Sequence, residues 1–170
     1  IEEQEGDIKK KEQEFKKHLP ELETLFDIAE EKPKVRYFEG KEGLIAIRED
    51  YFKAKDKEVL SFYAVDEEKK VFSESERLDA YNKRIKKGIK LKFIYTSKEG
   101  ILKTKPKLTE PRFVPKDKFS LSSGFIIYDN KVGIVSLEGK LMGVIIENKA
   151  IADSLKSIFN LAWSGAEKYQ

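Results

Sequence analysis

The fold is decided by residues 122–163, which begin SSGFIIYDNKVGIVSL (122–137), continue with LMGVIIE (141–147) and end in FNLAW (159–163). The first two apolar runs are joined by Asp-Asn-Lys at 129–131, residues that favour a tight hairpin turn. A third run follows, and Asn148 is suited to cap a final helix from Lys149 to about Tyr169. This pattern predicts the second half of an α/β domain. The expected inner face of the helix is Ile151, Leu155, Ile158, Phe159, Ala162 and Trp163.

The preceding part of the chain alternates between strand and helix patterns. A mostly apolar run such as 58–65 is typical of a buried parallel strand. Residues 96–118 contain three prolines and little periodicity, which predicts a long connection with a short strand near 112–114. Loops of this length are often functional or mobile. The order β-α-β-α-β-loop-β-β-β-α predicts a three-layer α/β domain with a mixed β-sheet. The expected strands are 35–38, 58–65 and 89–95, and the expected helices are 44–55 and 77–87. The first helix is expected to connect its two strands by a right-handed βαβ crossover. The inward residues expected in the second helix are Leu78, Tyr81 and Ile85.

Residues 1–32 form a separate, strongly charged segment with helix-forming composition. Apolar residues recur every seven positions from Ile8 to Ala29, the spacing of a helical seam, and Pro20 interrupts the pattern. We expect a helical linker that makes the protein a homodimer. The predicted domains are therefore a helical linker at 1–32 and an α/β domain at 33–170.

Composition excludes several classes of function. The chain has 170 residues, a formal net charge of +3, no cysteine and one histidine, His18. Disulfides, thiolate chemistry and multi-histidine metal sites are therefore excluded, and we expect no cofactor. No signal peptide or apolar run long enough to span a bilayer is visible, so we expect a cytoplasmic protein without a membrane partner.

A basic band lies at residues 83–107, which contain ten lysine and arginine residues and a single acidic residue, Glu99. Such a band can bind phosphates or nucleic acid, although a solvated helix face and loop give the same pattern. A nucleic-acid-binding module using this band is therefore kept as an alternative function.

The order of elements resembles one half of a phospholipase D-like domain, and more narrowly the effector-sensing domain of TrmB-type transcriptional regulators. The narrower resemblance depends on KPKVRYFEGKEG (32–43) and on ENKAI (147–151) leading into IFNLAW (158–163). It covers about residues 20–165. In that family a winged helix-turn-helix domain binds DNA and precedes the sensor domain. Because this chain starts at Ile1, we expect the DNA-binding domain to lie outside it.

The resemblance provides a test for catalysis. Phospholipase D-type enzymes use a His-x-Lys-x4-Asp motif, and aligning its aspartate with Asp129 places histidine at Ser122 and lysine at Gly124. Serine without a neighbouring base is a poor nucleophile, and glycine carries no charge. We therefore expect no enzyme activity and no catalytic residues. A phosphodiesterase or nuclease of the phospholipase D type with an altered site is the alternative.

A remodelled ligand pocket is the expected remnant of that site. In open α/β sheets ligands bind at the carboxyl ends of strands. Hydroxyls and a guanidinium there can hold a sugar or a phosphorylated metabolite. Asp129 has a second interpretation, as a turn residue that bonds to the backbone of the hairpin. The predicted ligand-binding residues are Tyr95, Arg112, Ser122, Ser123 and Asp129.

Overall fold

A computed structural model describes residues 11, 13–18, 20 and 33–170, and the chain divides into units at 1–33 and 34–170. In the first unit, residues 11, 13–18 and 20 are helical, and the other residues of the predicted linker helix lie outside the described residues. No helix in the described ranges is long and apolar enough to cross a membrane.

The second unit contains seven strands and four α-helices. Strand and hairpin positions agree with the sequence prediction to within a few residues. In chain order the elements are β1 (Lys34–Glu39), α1 (Gly40–Tyr51), β2 (Glu58–Ala64), α2 (Val65–Val71), α3 (Glu74–Lys86), β3 (Lys90–Thr96), β4 (Thr109–Phe113), β5 (Ser123–Tyr128), β6 (Lys131–Ser136), β7 (Met142–Glu147) and α4 (Lys149–Ala166), followed by a short 3-10 turn (Glu167–Tyr169).

All seven strands form one mixed sheet in the order β1-β7-β6-β5-β2-β3-β4. Strands β2, β3 and β4 pair in parallel, whereas β1, β7, β6, β5 and β2 pair antiparallel. Helix α4 packs on one face against Leu60, Ile94, Ile127 and Val132. Residues of α1 and α3 pack on the opposite face. The predicted three-layer α/β fold with a mixed sheet is therefore confirmed.

Four details of the sequence prediction are wrong. Strands β1 and β2 are not neighbours, because β7, β6 and β5 lie between them. Helix α2 was not predicted: its first residue, Val65, was assigned to the end of the second strand, and no element was assigned to the residues that follow. Leu78 and Ile158, both predicted to face inward, are 55% exposed. Helix α1 begins at Gly40 and ends at Tyr51, earlier than predicted at both ends.

Asp50, near the end of α1, connects that helix to three strands. Its carboxylate accepts hydrogen bonds from Arg36 of β1 (2.5 Å), Tyr128 of β5 (2.9 Å) and Lys131 of β6 (2.9 Å). Burial raises the pKa of Asp50, but the hydrogen bonds from Lys131, Arg36 and Tyr128 outweigh it and lower the pKa to about 2. The carboxylate is therefore charged throughout the ordinary pH range and holds α1 against the sheet.

Candidate functional site

Four of the five predicted ligand-binding residues lie at one edge of the sheet. Strands β3 and β4 are parallel, and Ile94 and Tyr95 pair with Arg112 and Phe113 near their carboxyl ends. Strand β5 is antiparallel to β2 and begins at Ser123, so Ser122 and Ser123 lie at the same edge. This edge is where ligands collect in open α/β sheets.

The side chains at this edge nevertheless do not converge. Tyr95 is 1% exposed, and its phenol oxygen accepts a hydrogen bond from the backbone N–H of Leu102 (2.7 Å). Arg112 lies on the α4 side of the sheet, where its guanidinium is 4.4 Å from the centre of the Trp163 ring and donates to the Trp163 carbonyl oxygen. Successive residues in a strand point to opposite faces. Arg112, which pairs with Ile94, therefore faces away from Tyr95.

Asp129 lies at the other edge of the sheet. It follows β5, whose six residues at about 3.4 Å each separate it from Ser123 by roughly 20 Å. Its carboxylate accepts hydrogen bonds from the backbone N–H groups of Lys55 (3.0 Å) and Asp56 (3.2 Å). Asp129 does occupy the hairpin turn, with a positive φ of 47°, but its carboxylate bonds to the backbone of the loop after α1 and not, as predicted, to the backbone of the hairpin. The structure does not bring it together with Ser122 and Ser123.

Gly124, the position that the phospholipase D motif assigns to lysine, has no room for a side chain because a neighbouring residue packs against it. Gly124 of β5 pairs with Val135 of β6. A Cβ atom added to Gly124 would lie 2.9 Å from Cγ2 of Val135, closer than side chains pack. Val135 is itself only 9% exposed. A lysine at this position would therefore have to displace a buried valine.

A cavity of about 370 Å³ lies on the face of the sheet that carries α1 and α3. Its wall is mainly apolar and includes Ile126 and Val135. The cavity therefore shares Val135 with the packing that leaves no room for a side chain at position 124. We call it the helical-face cavity. Its other apolar lining residues include Leu44, Ile47, Val59, Phe72, Ala80, Leu91 and Phe93.

Polar groups are gathered where α1 and α2 meet at this cavity. Arg48 donates to Glu68 at 3.1 Å, and its guanidinium lies 4.2 Å from the centre of the Phe72 ring. Burial raises the pKa of Tyr63 well above its usual value, and the carboxylate of Glu68 raises it further. Burial also raises the pKa of Tyr51 to about 12. The two phenols therefore stay neutral, and the ion pair is largely shielded from water.

Two arginines of α3, Arg77 and Arg84, also line the cavity and differ in their bonding. Arg84 is 4% exposed and donates to the carbonyl oxygens of Ile89 (2.7 Å) and Leu108 (2.9 Å) and to Oγ1 of Thr109 (2.6 Å). Burial lowers its pKa. The Nε atom of Arg77, by contrast, is buried without a hydrogen-bond partner in the described structure. Arg84 therefore holds the β3–β4 connection, and Arg77 leaves a donor unused.

The connection from β3 to β4 forms the rim of the cavity, which includes Glu99, Leu102 and Pro106. Lys69 of α2 donates to Glu99 at 2.9 Å across this rim. The predicted basic band is therefore not one exposed surface, since Arg84 is buried and Lys83 is paired with Glu49 (2.6 Å). Its remaining lysines are distributed over α3, β3 and the rim.

Sequence reasoning missed the cavity and its polar residues. One local signal was available, because Ser73 and Glu76 form a capping box that starts α3 at Glu74. From that start, Arg77 and Arg84 are seven residues apart and share a helix face. The sequence contains no comparable signal for Glu68, because the seven-residue helix α2 has no clear periodicity. Within the described ranges, no group of three or more metal-ligating side chains is present.

Comparison with solved structures supports a phospholipase D-like fold. The archaeal chromatin protein TrmBL2, described as showing a novel mode of DNA binding, matches 98% of this chain and 68% of its own, at 19% identity and a TM-score of 0.53. The phospholipase D family member Nuc from Salmonella typhimurium matches 78% of this chain and 95% of its own, at 14% identity and a TM-score of 0.55. NucT from Helicobacter pylori matches 76% and 94%, at 14% identity and a TM-score of 0.56.

Neither family models nor curated proteins give a match. At these identities the structural likeness establishes the fold alone. The fold is thus the phospholipase D-like α/β class, which Nuc, NucT and the chromatin protein TrmBL2 share.

Proposed function

We propose that this chain is a non-catalytic regulatory domain of a TrmB-like transcriptional regulator, which binds an effector and forms a homodimer. DNA binding by the regulator would belong to a separate winged helix-turn-helix domain. The observation that carries the proposal is the closed lysine position, where Val135 occupies the space that a side chain at Gly124 would need.

Chemistry at the strand edge supports the same proposal. Phosphoryl transfer through a covalent intermediate needs an activated nucleophile and a cation that holds the phosphate. Ser122 is exposed, and the one hydrogen bond described for it is a 3.5 Å contact from the Leu137 N–H to its backbone carbonyl. The only histidine, His18, belongs to the other unit of the chain. The groups at this edge therefore lack the properties that the reaction requires.

The helical-face cavity and the resemblance to TrmBL2 support effector binding within a DNA-associated regulator. A mainly apolar cavity with a few converging polar groups is the usual form of a small-molecule site. The match to TrmBL2 extends over nearly the whole chain. A regulator needs a sensor that changes with a small molecule, and this cavity is large enough to hold one.

Thermal stability measured against sugars, nucleotides, phosphorylated metabolites and apolar acids tests effector binding. A ligand at one hundred times its dissociation constant adds about 2.7 kcal/mol to the free energy of unfolding. For a domain of this size we expect the melting temperature to rise by roughly 5–10 °C. Light scattering should give twice the 19.7 kDa mass of one chain. A monomer contradicts the dimer, and a library without a hit contradicts the sensor.

A nuclease is the second candidate, because Nuc and NucT share the fold. Phosphodiesterase activity should be measured with single-stranded and double-stranded DNA in EDTA, since the phospholipase D mechanism needs no metal. Asp129→Ala is the control, because it removes the only acidic residue of the motif. We expect no turnover above that of the control. Turnover that Asp129→Ala abolishes would replace the regulatory proposal with an enzymatic one.

Direct nucleic-acid binding by this chain is tested by salt dependence. Binding through the lysines of residues 83–107 would weaken by about 0.9 log unit per log unit of salt for each phosphate contacted. We expect weak or no binding by this chain alone. Tight binding that falls steeply with salt would support the basic band as a functional surface.

A further inference from the structure

The helical-face cavity combines an apolar chamber with two arginines of α3, Arg77 and Arg84, that have no carboxylate partner among the described residues; of these, Arg77 has a donor without a hydrogen bond. Of the cationic side chains that line it, Arg48 is paired with Glu68 (3.1 Å) and Lys69 with Glu99 (2.9 Å). Arg77 has no carboxylate within 4.0 Å in the part of the chain that the structure describes, and its Nε is buried without a partner. This arrangement leaves a guanidinium in the cavity lining with one buried donor that makes no hydrogen bond.

We infer that the helical-face cavity binds an apolar monoanion, a molecule with an aromatic or branched aliphatic body and a single carboxylate held by Arg77. The inference depends on the proposed effector-binding function and names its site and its ligand class. It differs from the strand-edge pocket of Tyr95, Arg112, Ser122 and Ser123, whose side chains do not converge.

The charge of the ligand follows from the two arginines of α3. Arg84 already donates to two carbonyl oxygens and to Thr109, so its donors are used by the protein itself. Arg77 retains an unused buried donor, and a buried donor without a partner is unfavourable. A carboxylate satisfies guanidinium donors with two parallel hydrogen bonds, which are stronger than neutral ones. An anion is therefore favoured over a neutral molecule.

The body of the ligand follows from the wall of the cavity. Leu44, Ile47 and Val135 are each less than 10% exposed and offer no hydrogen-bonding side chain. A sugar packed against these three residues would lose the hydration of its hydroxyls without replacement on that side, which is costly. The volume of about 370 Å³ lies within the range of small-molecule sites, about 300–1,000 Å³. An apolar body of one or two rings therefore suits the space.

Ser61 of β2 lies in the floor of the cavity and provides a way to fill it. It is 5% exposed, and its hydroxyl makes a 3.4 Å hydrogen bond to the Phe62 carbonyl oxygen. At this distance the bond is weak. Replacing Ser61 with leucine places an apolar side chain in the chamber and costs little hydrogen bonding. This variant reports on the space itself, independently of Arg77.

The experiment compares a charged probe with a neutral one of the same shape, 2-naphthoate and 2-naphthalenemethanol. Dissociation constants are measured by calorimetry for the wild type, Arg77→Met, Arg112→Met and Ser61→Leu, each checked for folding by circular dichroism. Arg77→Met removes the charge and keeps a similar length. Arg112→Met is the matched control, because it removes an arginine of the strand edge.

We expect 2-naphthoate to bind at least about ten-fold more tightly than the alcohol, and Arg77→Met to remove that difference. Arg112→Met should leave both constants within about two-fold, and Ser61→Leu should weaken both probes. The inference is overturned if a folded wild type binds neither probe. It is also overturned if Arg112→Met removes naphthoate binding while Arg77→Met does not.

A competition arm separates this inference from the proposed function. Suppose that a sugar or phosphorylated metabolite stabilises the wild type, that Ser61→Leu does not change this stabilisation, and that the metabolite does not compete with 2-naphthoate. If Arg77→Met also leaves the affinity for 2-naphthoate unchanged, the proposed effector binding stands and the assignment of the ligand to the cavity fails. If no metabolite and neither probe shifts the melting temperature, both the sensor function and the assignment fail.

Discussion

Replacing Gly124 with alanine tests whether the position that the phospholipase D motif assigns to lysine is physically closed. The new Cβ atom would lie 2.9 Å from Cγ2 of Val135 and 3.7 Å from the Phe62 carbonyl oxygen. The second distance is ordinary contact, so the whole conflict is with one methyl group. Gly124 has no positive φ that alanine would strain. The effect of the substitution therefore reports the packing against Val135.

The magnitude follows from two opposing contributions. Adding a methyl group to a packed core costs about 1–3 kcal/mol. Alanine is more favourable than glycine inside a strand by about 0.5–1 kcal/mol. We expect Gly124→Ala to lower the free energy of unfolding by about 0.5–2 kcal/mol. In a Val135→Ala background, which lacks Cγ2, the same change should instead raise it by about 0.5–1 kcal/mol.

The assay is urea unfolding of the four proteins of this double-mutant cycle, with free energies compared at equal m-values. The expected coupling between positions 124 and 135 is about 1–3 kcal/mol. If Gly124→Ala has the same effect in both backgrounds, to within about 0.5 kcal/mol, the position is open. The structural argument against a lysine there would then be refuted.

Three further predictions concern the scaffold. Asp50→Asn should lower the free energy of unfolding by about 1–2 kcal/mol at pH 7. Because the pKa of Asp50 is lowered from 3.8 to about 2, this contribution is present above pH 4 and is lost as the pH falls towards 2. A difference in unfolding free energy between variant and wild type that stays constant from pH 4 to pH 2 would contradict the prediction. Gly143→Ala places a Cβ atom 2.9 Å from the Ile134 carbonyl oxygen and should cost about 1–3 kcal/mol in urea unfolding, whereas the same change at Gly165, which has open space around it, should be neutral or stabilising; equal effects would refute the packing argument. Ser73→Ala removes the capping-box acceptor for the Glu76 N–H and should cost about 1 kcal/mol, or roughly 2–4 °C in melting temperature, and an unchanged melting temperature would show that the cap is dispensable.

The fold was largely predictable because its signals are local. The apolar runs at 125–128 and 132–137 and the turn between them need only neighbouring residues to be interpreted, and they form β5 and β6. The order of strands needed more information, since β1 pairs with β7 across more than one hundred residues. The early end of α1 also has a distant cause, because the N–H groups of Lys55 and Asp56 bond to Asp129.

The candidate site was less predictable because cavities arise from packing between elements. The motif alignment singled out position 124, but it could not show that Val135 fills the space beside it. It also grouped Asp129 with Ser122, although the length of β5 places them at opposite edges of the sheet. Arg77 has no distinguishing neighbours in the sequence, and its importance depends on a donor left unused after folding.

The closed lysine position and the helical-face cavity are parts of one structural feature. Gly124 and Ile126 share a face of β5, since alternate residues of a strand point the same way. Ile126 and Val135 line the cavity, and Val135 also fills the space beside Gly124. A lysine at position 124 would place its charged chain against this apolar wall, where a charge is costly to bury. A glycine at position 124 therefore keeps this side of the chamber apolar, and the cation that we propose for a ligand, Arg77, lies on the helix side of the chamber.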